Sequence, residues 1–283
     1  MKLLTLLLSV CTFCAFAQGL PSEKDLGIET LQGKVKTLKE YTQPLRLPGM
    51  PAPSDTSFSL SREISFDKNK AITSIVSRSA IGTKVSLTKQ VFKYNKANQL
   101  INVVFVDAED EDKIYQEVSY TYDKNEKEET WYNAQKEVIR KLRYQYDVAG
   151  NERAVYTYNA AGEITKKVEI TYNDQQKPIE KLSYGKEEVL LQKDSIAYNA
   201  DTTTTFITFV KLDPKNNGSL QTVVDRFGNM MSYAVSSPEG DIISQIIYQY
   251  DKAGNWIKMT NRTRLPDQKE SESVTKREIT YYD

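Results

Sequence analysis

Hydrophobic and polar residues alternate with a period of two along much of the chain. In one example, Leu142, Tyr144 and Tyr146 occupy alternate positions, with Arg143 and Gln145 between them. A two-residue period places the apolar side chains on one face of a strand and the charged side chains on the other. The pattern predicts half-buried β-strands whose apolar face is rich in tyrosine.

Short segments that open on Asp or Asn and close on Gly separate these strands. Such a segment matches a type I turn, in which the first side chain accepts a backbone N–H and the last residue has positive φ. Segments that close on Asn, or that carry Pro at the second place, fit the same scheme. The predicted turns are residues 95–98, 147–150, 159–162, 225–228, 237–240 and 251–254.

A Tyr-Asp or Tyr-Asn pair precedes many of these turns and recurs along the chain, as at Tyr146-Asp147 and Tyr158-Asn159. Such self-similarity is typical of a repeat architecture. About 14 to 17 strands are expected after Asp67, each joined to the next by a tight turn. A sheet of more than about ten strands seldom stays flat. The predicted fold is therefore all-β, a long antiparallel meander of hairpin repeats over residues 34–283 that curls into a strip, a sandwich or a barrel-like sheet.

Residues 1–17 have the three parts of a secretory signal peptide. Lys2 supplies the positive charge, an apolar run follows, and Ala15 and Ala17 form a small-x-small cleavage site. We expect cleavage after Ala17, with Gln18 as the new amino terminus. The protein is thus expected to be exported to the periplasm, the cell surface or the medium, and no later run approaches the length of a membrane-spanning helix.

Cys11 offers an alternative reading of the leader, in which this cysteine carries a lipid anchor. The residue before a lipid-modified cysteine is usually small, whereas Val10 is not. We therefore favour the cut after Ala17.

The segments before the repeats break the alternating pattern. Residues 18–33 are interpreted as an N-terminal leader into the sheet, and residues 35–41 as its first strand. Residues 43–57 contain four prolines, and proline cannot donate a ladder hydrogen bond. This stretch is predicted to be an exposed loop without strand pairing.

The charge balance and the lack of histidine restrict the chemistry. The chain has 38 basic and 38 acidic residues, no histidine, and two cysteines, Cys11 and Cys14, both in the leader. A near-neutral balance does not favour nucleic acid or an anionic membrane as a partner. Catalytic triads that use histidine and zinc or haem sites ligated by histidine are excluded, and no nucleotide-binding glycine motif occurs. No cofactor is expected.

The acidic run at residues 107–112 has two interpretations, a calcium site or a solvated loop tip. Asp110 and Asp112 approach the spacing of a calcium loop, but its glycine and distal glutamate are missing. We favour the loop tip and predict no metal site.

Trp131, Tyr132 and Trp256 are the candidate partner-binding residues, because aromatic rings stack on sugars and peptides. The alternative is that the tryptophans pack across a strand pair, which their positions near predicted turns favour. No catalytic residue is predicted, since Asp147 and Asp251 are already explained as turn openers.

The motif Tyr-x-Tyr-Asp-x-x-Gly-Asn, present as YQYDVAGN at 144–151 and YQYDKAGN at 248–255, resembles the YD repeat of the RHS family. The resemblance is strongest at residues 118–199 and 246–283. Members of that family wind a long β-strip into a shell that encloses a toxic domain or supports cell-surface contact. This chain is too short for a complete shell and carries no recognisable toxin. It looks more like the small secreted YD-repeat proteins of Bacteroidetes, so the resemblance implies the fold and export and leaves function open.

Three functions fit these features. The favoured one is an exported non-enzymatic envelope or surface protein that binds a protein or glycan through its sheet, because extended repeat surfaces are common binding platforms. The alternative is a secreted carbohydrate-active enzyme that uses paired carboxylates. A third is a chaperone-like strip that shelters a toxin.

Overall fold

The structure of the protein is a computed structural model that describes residues 31–43, 46, 58–81, 84–198, 202–209, 219–225, 229–236, 240–267 and 269–282. This part of the chain is all-β apart from a 3-10 turn at Lys186–Glu188. The strands are β1 (Val35–Thr42), β2 (Ser59–Phe66), β3 (Ile72–Ile81), β4 (Lys84–Tyr94), β5 (Leu100–Asp107), β6 (Ile114–Asp123), β7 (Glu126–Asn133), β8 (Val138–Tyr146), β9 (Glu152–Asn159), β10 (Ile164–Tyr172), β11 (Pro178–Tyr184), β12 (Leu190–Tyr198), β13 (Thr202–Phe209), β14 (Ser219–Asp225), β15 (Met230–Ser236), β16 (Ile242–Tyr250), β17 (Trp256–Arg264) and β18 (Glu270–Tyr281).

The predicted antiparallel meander is confirmed. Each strand pairs with the next one along the chain, and 16 of the 18 strands follow Asp67, within the expected number. β1 pairs with β2 on one side and with β18 on the other. The ladder of pairings therefore returns to its own start, and each described strand has two hydrogen-bonded neighbours.

The turns have the predicted geometry wherever they lie in the described residues. In the turn that opens at Asp147, the Asp147 carbonyl accepts the N–H of Gly150 at 3.0 Å, and Asp147 Oδ1 accepts the N–H groups of Ala149 and Asn151, both at 2.9 Å. Gly150 has φ +85°. The same bonds and a positive φ recur in the turns that open at Asn95, Asn159 and Asp251.

Further turns of this type open at Asp67, Asn133 and Asn173. Their positive-φ position is held by Lys70, Lys136 and Gln176 in place of Gly. Asp or Asn thus opens every one of these turns, whereas Gly closes only some of them.

A β-bulge next to the turn recurs in most hairpins. In the β8–β9 pair the register shifts between Gln145 and Tyr146, one residue before the turn. Equivalent shifts occur in nine other hairpin ladders. A bulge bends its strand and increases the local twist, so a bulge repeated at this place gives a physical reason for the sheet to curl.

One face of the sheet, here called the buried face, bears the hydrophobic core. Directly paired residues point to the same side of a sheet, and Ile64 pairs with both Leu38 and Ile75. All three side chains are essentially inaccessible to solvent. A second cluster on this face centres on Val103, Val118, Tyr120, Trp131 and Leu142.

Tyrosines on this face tie each hairpin to its neighbour. Tyr172 Oη donates to the carbonyl oxygen of Glu152 at 2.7 Å, and Glu152 is the first residue after the turn 147–151. Tyr94, Tyr122, Tyr198 and Tyr248 make the same bond, at 2.6 to 3.0 Å, to the first residue after an earlier turn. The repeat is therefore a hydrogen-bonded unit as well as a turn.

The opposite face, here called the exposed face, carries ion pairs that cross between strands. Arg143 Nη2 lies 2.6 Å from Glu126 Oε2. Lys141 Nζ lies 3.2 Å from Glu128 Oε1, and Lys193 Nζ lies 2.6 Å from Glu180 Oε2. These side chains are partly or largely exposed, so each pair contributes at most about 1 kcal/mol.

The signal peptide, Gln18 and Cys11 lie outside the described residues, as do most of the leader, most of the loop 43–57 and the turn residues 226–228 and 237–239. One correction falls in that loop. Arg46 makes an antiparallel bridge to Glu272, with N–H···O distances of 2.9 and 3.2 Å. The loop was expected to be free of strand pairing, but Arg46 keeps the N–H that the prolines around it lack. No helix in the described residues is long and apolar enough to cross a membrane.

Candidate functional site

Trp131 lies on β7 with its side chain on the buried face, where it is 7% exposed. The guanidinium carbon of Arg140 lies 3.9 Å from the centre of its ring, and the ring of Phe105 lies at a centroid distance of 5.9 Å. Burial lowers the pKa of Arg140 below its ordinary value. The environment of Trp131 is therefore that of a packed core residue with a stacked cation.

Trp256 is in a similar environment at the start of β17, and it is 8% exposed. Arg277 covers one face of its ring at 3.4 Å, and Tyr248 packs at a centroid distance of 5.7 Å. Tyr132 follows Trp131 on β7 and so points to the exposed face, between Glu117 and Val138. The structure places these three aromatic residues in separate environments, and both tryptophans have the packing role that the sequence left as the alternative.

A buried ion triad joins the three strands at which the ladder returns to its start. Glu40 on β1 lies directly between Arg62 on β2 and Arg277 on β18. Arg62 Nη2 lies 2.6 Å from Glu40 Oε2, and Arg277 Nη2 lies 2.8 Å from Glu40 Oε1. The Arg277 side chain is 2% exposed, and burial lowers its pKa to about 10. A one-residue slip of β1 would turn Glu40 to the other face of the sheet and break both contacts.

A second charged cluster lies on the buried face of β7, β8 and β9. Glu129 is 3% exposed and binds Lys127 Nζ at 3.2 Å. Lys127 Nζ also lies 3.7 Å from the centre of the Tyr144 ring. Burial raises the pKa of Glu152, and the negative charge of Glu129 adds to this effect, while Lys127 and Lys181 oppose it. Glu152 is thus a carboxyl that holds its proton more tightly than an exposed one.

Asp194 on β12 continues this set of desolvated carboxyls. It is the direct cross-strand neighbour of Lys181 and accepts a hydrogen bond from Gln192 Nε2 at 2.6 Å. Burial raises its pKa, and the charges of Lys181 and Lys166 counteract the rise.

Three buried polar atoms have no hydrogen-bond partner within the described part of the chain: Gln90 Oε1, Glu129 Oε2 and Trp131 Nε1. Two of these atoms belong to residues that are two apart on β7 and share one face. Glu129 and Trp131 therefore each leave one buried polar atom without a hydrogen bond within the described residues.

Sequence reasoning missed Glu40, Arg62, Arg277, Glu129 and Glu152. A usable signal existed for some of them, because Glu129 and Lys127 share the period-two face of Trp131. A charged residue in register with an apolar face points to a buried, paired charge.

The acidic loop shows no arrangement suited to a metal. Asp107 Oδ2 accepts hydrogen bonds from Tyr115 Oη at 2.7 Å and Lys113 Nζ at 3.5 Å, and its Oδ1 accepts the Glu109 N–H at 3.0 Å. Hydrogen bonds from Tyr115 and the backbone lower the pKa of Asp107. The described residues contain no cluster of three or more potential metal ligands.

Comparisons with known proteins find no family and no curated protein that match the chain. Among solved structures, the chain is similar to a porin-like protein from Bacteroides uniformis, with 8% identity, a TM-score of 0.49, and coverage of 88% of this chain and 98% of that chain. It is also similar to the Photorhabdus luminescens Tc holotoxin pore, with 11% identity and a TM-score of 0.25, over 77% of this chain and 16% of that chain.

A third similar structure is a transferrin binding protein B mutant from Haemophilus parasuis. It has 7% identity and a TM-score of 0.15, with coverage of 89% of this chain and 77% of that chain. With TM-scores below 0.5, these similarities identify neither a family nor a partner.

Proposed function

We propose that the chain is an exported, non-enzymatic binding or scaffold protein of the YD-repeat, RHS-like type, which acts at the cell envelope or surface. The observation that supports this most directly is the repeated hairpin unit. The same turn and the same tyrosine hydroxyl bond recur from β3 to β16. A regular scaffold of this kind presents a long, uniform surface, which suits recognition of an extended protein or glycan.

The surroundings of the charged groups also favour a non-enzymatic role. Glu40 is held between two arginines, Glu129 binds Lys127, and Asp194 lies opposite Lys181. The turn carboxylate Asp147 accepts backbone N–H groups. Each of these carboxylates has a structural partner, so a structural role explains its position without any reaction.

The exposed face and the turn tips are the surfaces for binding in this proposal. Two large apolar side chains stand out there. Ile247 on the exposed face of β16 is 52% exposed, and Val148 at the tip of the turn 147–150 is 98% exposed. Covering these apolar side chains with a partner would remove their apolar area from water, which favours association.

Binding is tested on a glycan array and on immobilised envelope extract, with wild type, Ile247→Ser and Val148→Ser. We expect saturable capture that at least one of these variants weakens, while its melting temperature stays within about 2 °C of wild type, because surface changes rarely alter stability by more than about 0.5 kcal/mol. Ile243→Ser, at a less exposed position of the same strand, is the matched control. It shows how far the melting temperature falls when a substitution in this strand disturbs packing. No saturable capture on either surface contradicts the proposal.

A carbohydrate-active enzyme is the second candidate, because the carboxyl groups of Glu129 and Glu152 lie on the buried face of β7 and β9, the two strands that flank β8. Burial and the charge of Glu129 raise the pKa of Glu152, and glycoside hydrolysis uses a pair of carboxyl groups of which one keeps its proton. Turnover of chromogenic glycosides that Glu152→Gln abolishes would establish this function. Glu163→Gln is the control, because Glu163 is an exposed turn residue whose carboxylate accepts a hydrogen bond from Asn159 Nδ2 at 2.9 Å. We expect no turnover with wild type.

Export is tested by mass spectrometry of the protein released by the producing cell. Under the proposal, the amino terminus is Gln18, because Ala15 and Ala17 satisfy the export peptidase. A lipid-bearing species that begins at Cys11 would place the protein on a membrane and contradict the predicted cut.

A further inference from the structure

The slot between β2 and β18 holds a strand from the opposite end of the chain. Residues 34–43, together with Arg46, lie antiparallel to β18 between Tyr282 and Glu272. At one end the Tyr282 N–H donates to the Lys34 carbonyl at 2.8 Å. At the other end the Arg46 N–H donates to the Glu272 backbone carbonyl at 2.9 Å. Between these points Val35–Thr42 pairs with residues 275–281, with one register shift between Val35 and Thr37. The slot is therefore a built strand-binding site.

Side chains of the slot contact the bound strand at two specific positions. Leu38 is fully buried and pairs with Ile64 on one side and Ile279 on the other. Two residues further on, Glu40 enters between Arg62 and Arg277. An occupant must therefore carry an apolar residue and, two places later, a carboxylate.

At its amino-terminal end, the occupying strand is bound through hydrogen bonds to its backbone. Asn255 Oδ1 accepts the Gln32 N–H at 2.7 Å, and Asn255 Nδ2 donates to the Gln32 carbonyl at 3.0 Å. The next residue, Gly33, has φ +78°, and an added Cβ would lie 3.3 Å from the Tyr281 ring. The slot thus fits Gly followed by Leu and Glu at fixed places, which is the sequence of this chain's own residues 33–40.

The connection to the neighbouring strand does not force β1 to stay in its own molecule. Thr42 pairs directly with Ser59, a spacing that a two-residue hairpin would bridge. Residues 43–58 lie between them instead. This length of chain allows β1 to reach the slot of a neighbouring molecule while its own β2 remains in place.

We propose that the slot between β2 and β18 binds β1 of a second copy of this chain, which produces a strand-exchanged dimer. Every contact of β1 is reproduced in the exchanged form, so the two forms differ mainly in the cost of association. High protein concentration during folding therefore favours the dimer. This inference does not depend on the proposed function.

A disulfide between β1 and β18 reports which molecule supplied the strand. Thr37 Oγ1 and Thr280 Oγ1 face each other at 2.5 Å, so the pair Thr37→Cys and Thr280→Cys is close enough to cross-link. Both leader cysteines are replaced by serine in all variants. The chain is unfolded, refolded under reducing conditions at low and high concentration, oxidised, and separated on a non-reducing gel.

We expect the covalent dimer fraction to rise severalfold between the low and high refolding concentrations. The matched control pair is Thr121→Cys and Glu128→Cys, which lie opposite each other in the β6–β7 hairpin and must stay in one chain. This control should cross-link only within single chains at both concentrations. A Thr37–Thr280 pair that also cross-links only within single chains overturns the proposal.

The unmodified chain supplies a second measurement that needs no cysteine. Light scattering after refolding should show a dimer whose fraction rises with the refolding concentration. A chain that remains monomeric at the highest concentration overturns the proposal as well, even where the cysteine variants fail to fold.

Discussion

Arg277 lies across the ring of Trp256, with its guanidinium carbon 3.4 Å from the ring centre, and the same guanidinium binds Glu40. Trp256→Ala removes this cover from a side chain that is almost fully buried. We expect a loss of about 3–5 kcal/mol in the free energy of unfolding, measured by urea denaturation. Tyr132→Ala, on the exposed face, should cost clearly less. A Trp256→Ala protein that melts like wild type but loses partner capture would instead assign this tryptophan to binding.

The ion triad predicts unequal costs for two glutamates on neighbouring strands. Glu40→Ala leaves Arg62 and Arg277 without their shared carboxylate, and breaking a buried pair costs about 3–5 kcal/mol. Glu63 pairs with Lys39 at 3.6 Å with both side chains about one third exposed, so Glu63→Ala should cost at most about 1 kcal/mol. Similar losses for the two variants, in the same denaturation assay, would show that the triad contributes little.

The tyrosine hydroxyl bonds predict a small and local effect. Tyr172→Phe keeps the packed ring but leaves the Glu152 carbonyl without its donor, and we expect a loss of about 1–2 kcal/mol. Tyr132→Phe is the control, because no hydrogen bond of its hydroxyl is found in the described structure. Hydrogen exchange should show faster opening around the turn 147–151 in the first variant alone. Unchanged stability of Tyr172→Phe would mean that water replaces the bond without cost.

The closing position of the turns predicts a graded response to substitution. Gly150 has φ +85°, and an added Cβ would contact nothing within 4 Å. Gly150→Val should therefore cost only the conformational strain of about 1–3 kcal/mol, and Gly150→Asn less. At Gly240 an added Cβ also meets Pro266 Cβ at 2.7 Å, so Gly240→Ala should cost more than Gly150→Ala. Thermal unfolding of the four variants checks this order, and equal losses for Val and Asn would contradict the assigned turn.

Glu152 predicts a loss of stability as the pH rises. Burial raises its pKa in the folded state, so the folded state binds the proton more tightly than the unfolded chain, in which the pKa is about 4.3. The free energy of unfolding therefore falls as the pH rises from that value through the raised pKa. Glu152→Gln should remove this fall. The free energy of unfolding of the variant minus that of wild type should therefore be larger at pH 8 than at pH 4. Glu163→Gln should leave the profile unchanged, and an unaltered profile for both variants would contradict the prediction.

The local part of the fold could be predicted from the sequence, because its determinants lie within a few residues of one another. Asp147 and Gly150 define a turn by themselves, and the alternation from Leu142 to Tyr146 defines the strand before it. The number and direction of the strands follow from such units.

The return of the ladder to β1 could not be predicted in this way. Val35 pairs with Tyr281 across almost the whole chain, and no local pattern specifies a partner so distant. The tyrosine bonds are hidden for a similar reason, since the acceptor lies 18 to 22 residues before the donor.

The buried charges were obscured by their neighbours. Arg277 stands between Lys276 and Glu278, so the run of three charges gives no sign of which side chain points inward. The packing of the two tryptophans is hidden as well, because the arginines stacked on their rings come from other strands.

The return of the ladder to β1 also limits how this chain can change in length. Neighbouring strands run in opposite directions, so a ladder that meets its own start with every pairing antiparallel must contain an even number of strands, as the 18 strands of the described residues do. Loss of one strand would bring two strands of the same direction together at the junction and reverse which side chains face inward beyond it. Loss or duplication of a whole hairpin preserves both, so the hairpin, rather than the strand, is the unit by which such a protein can grow or shrink.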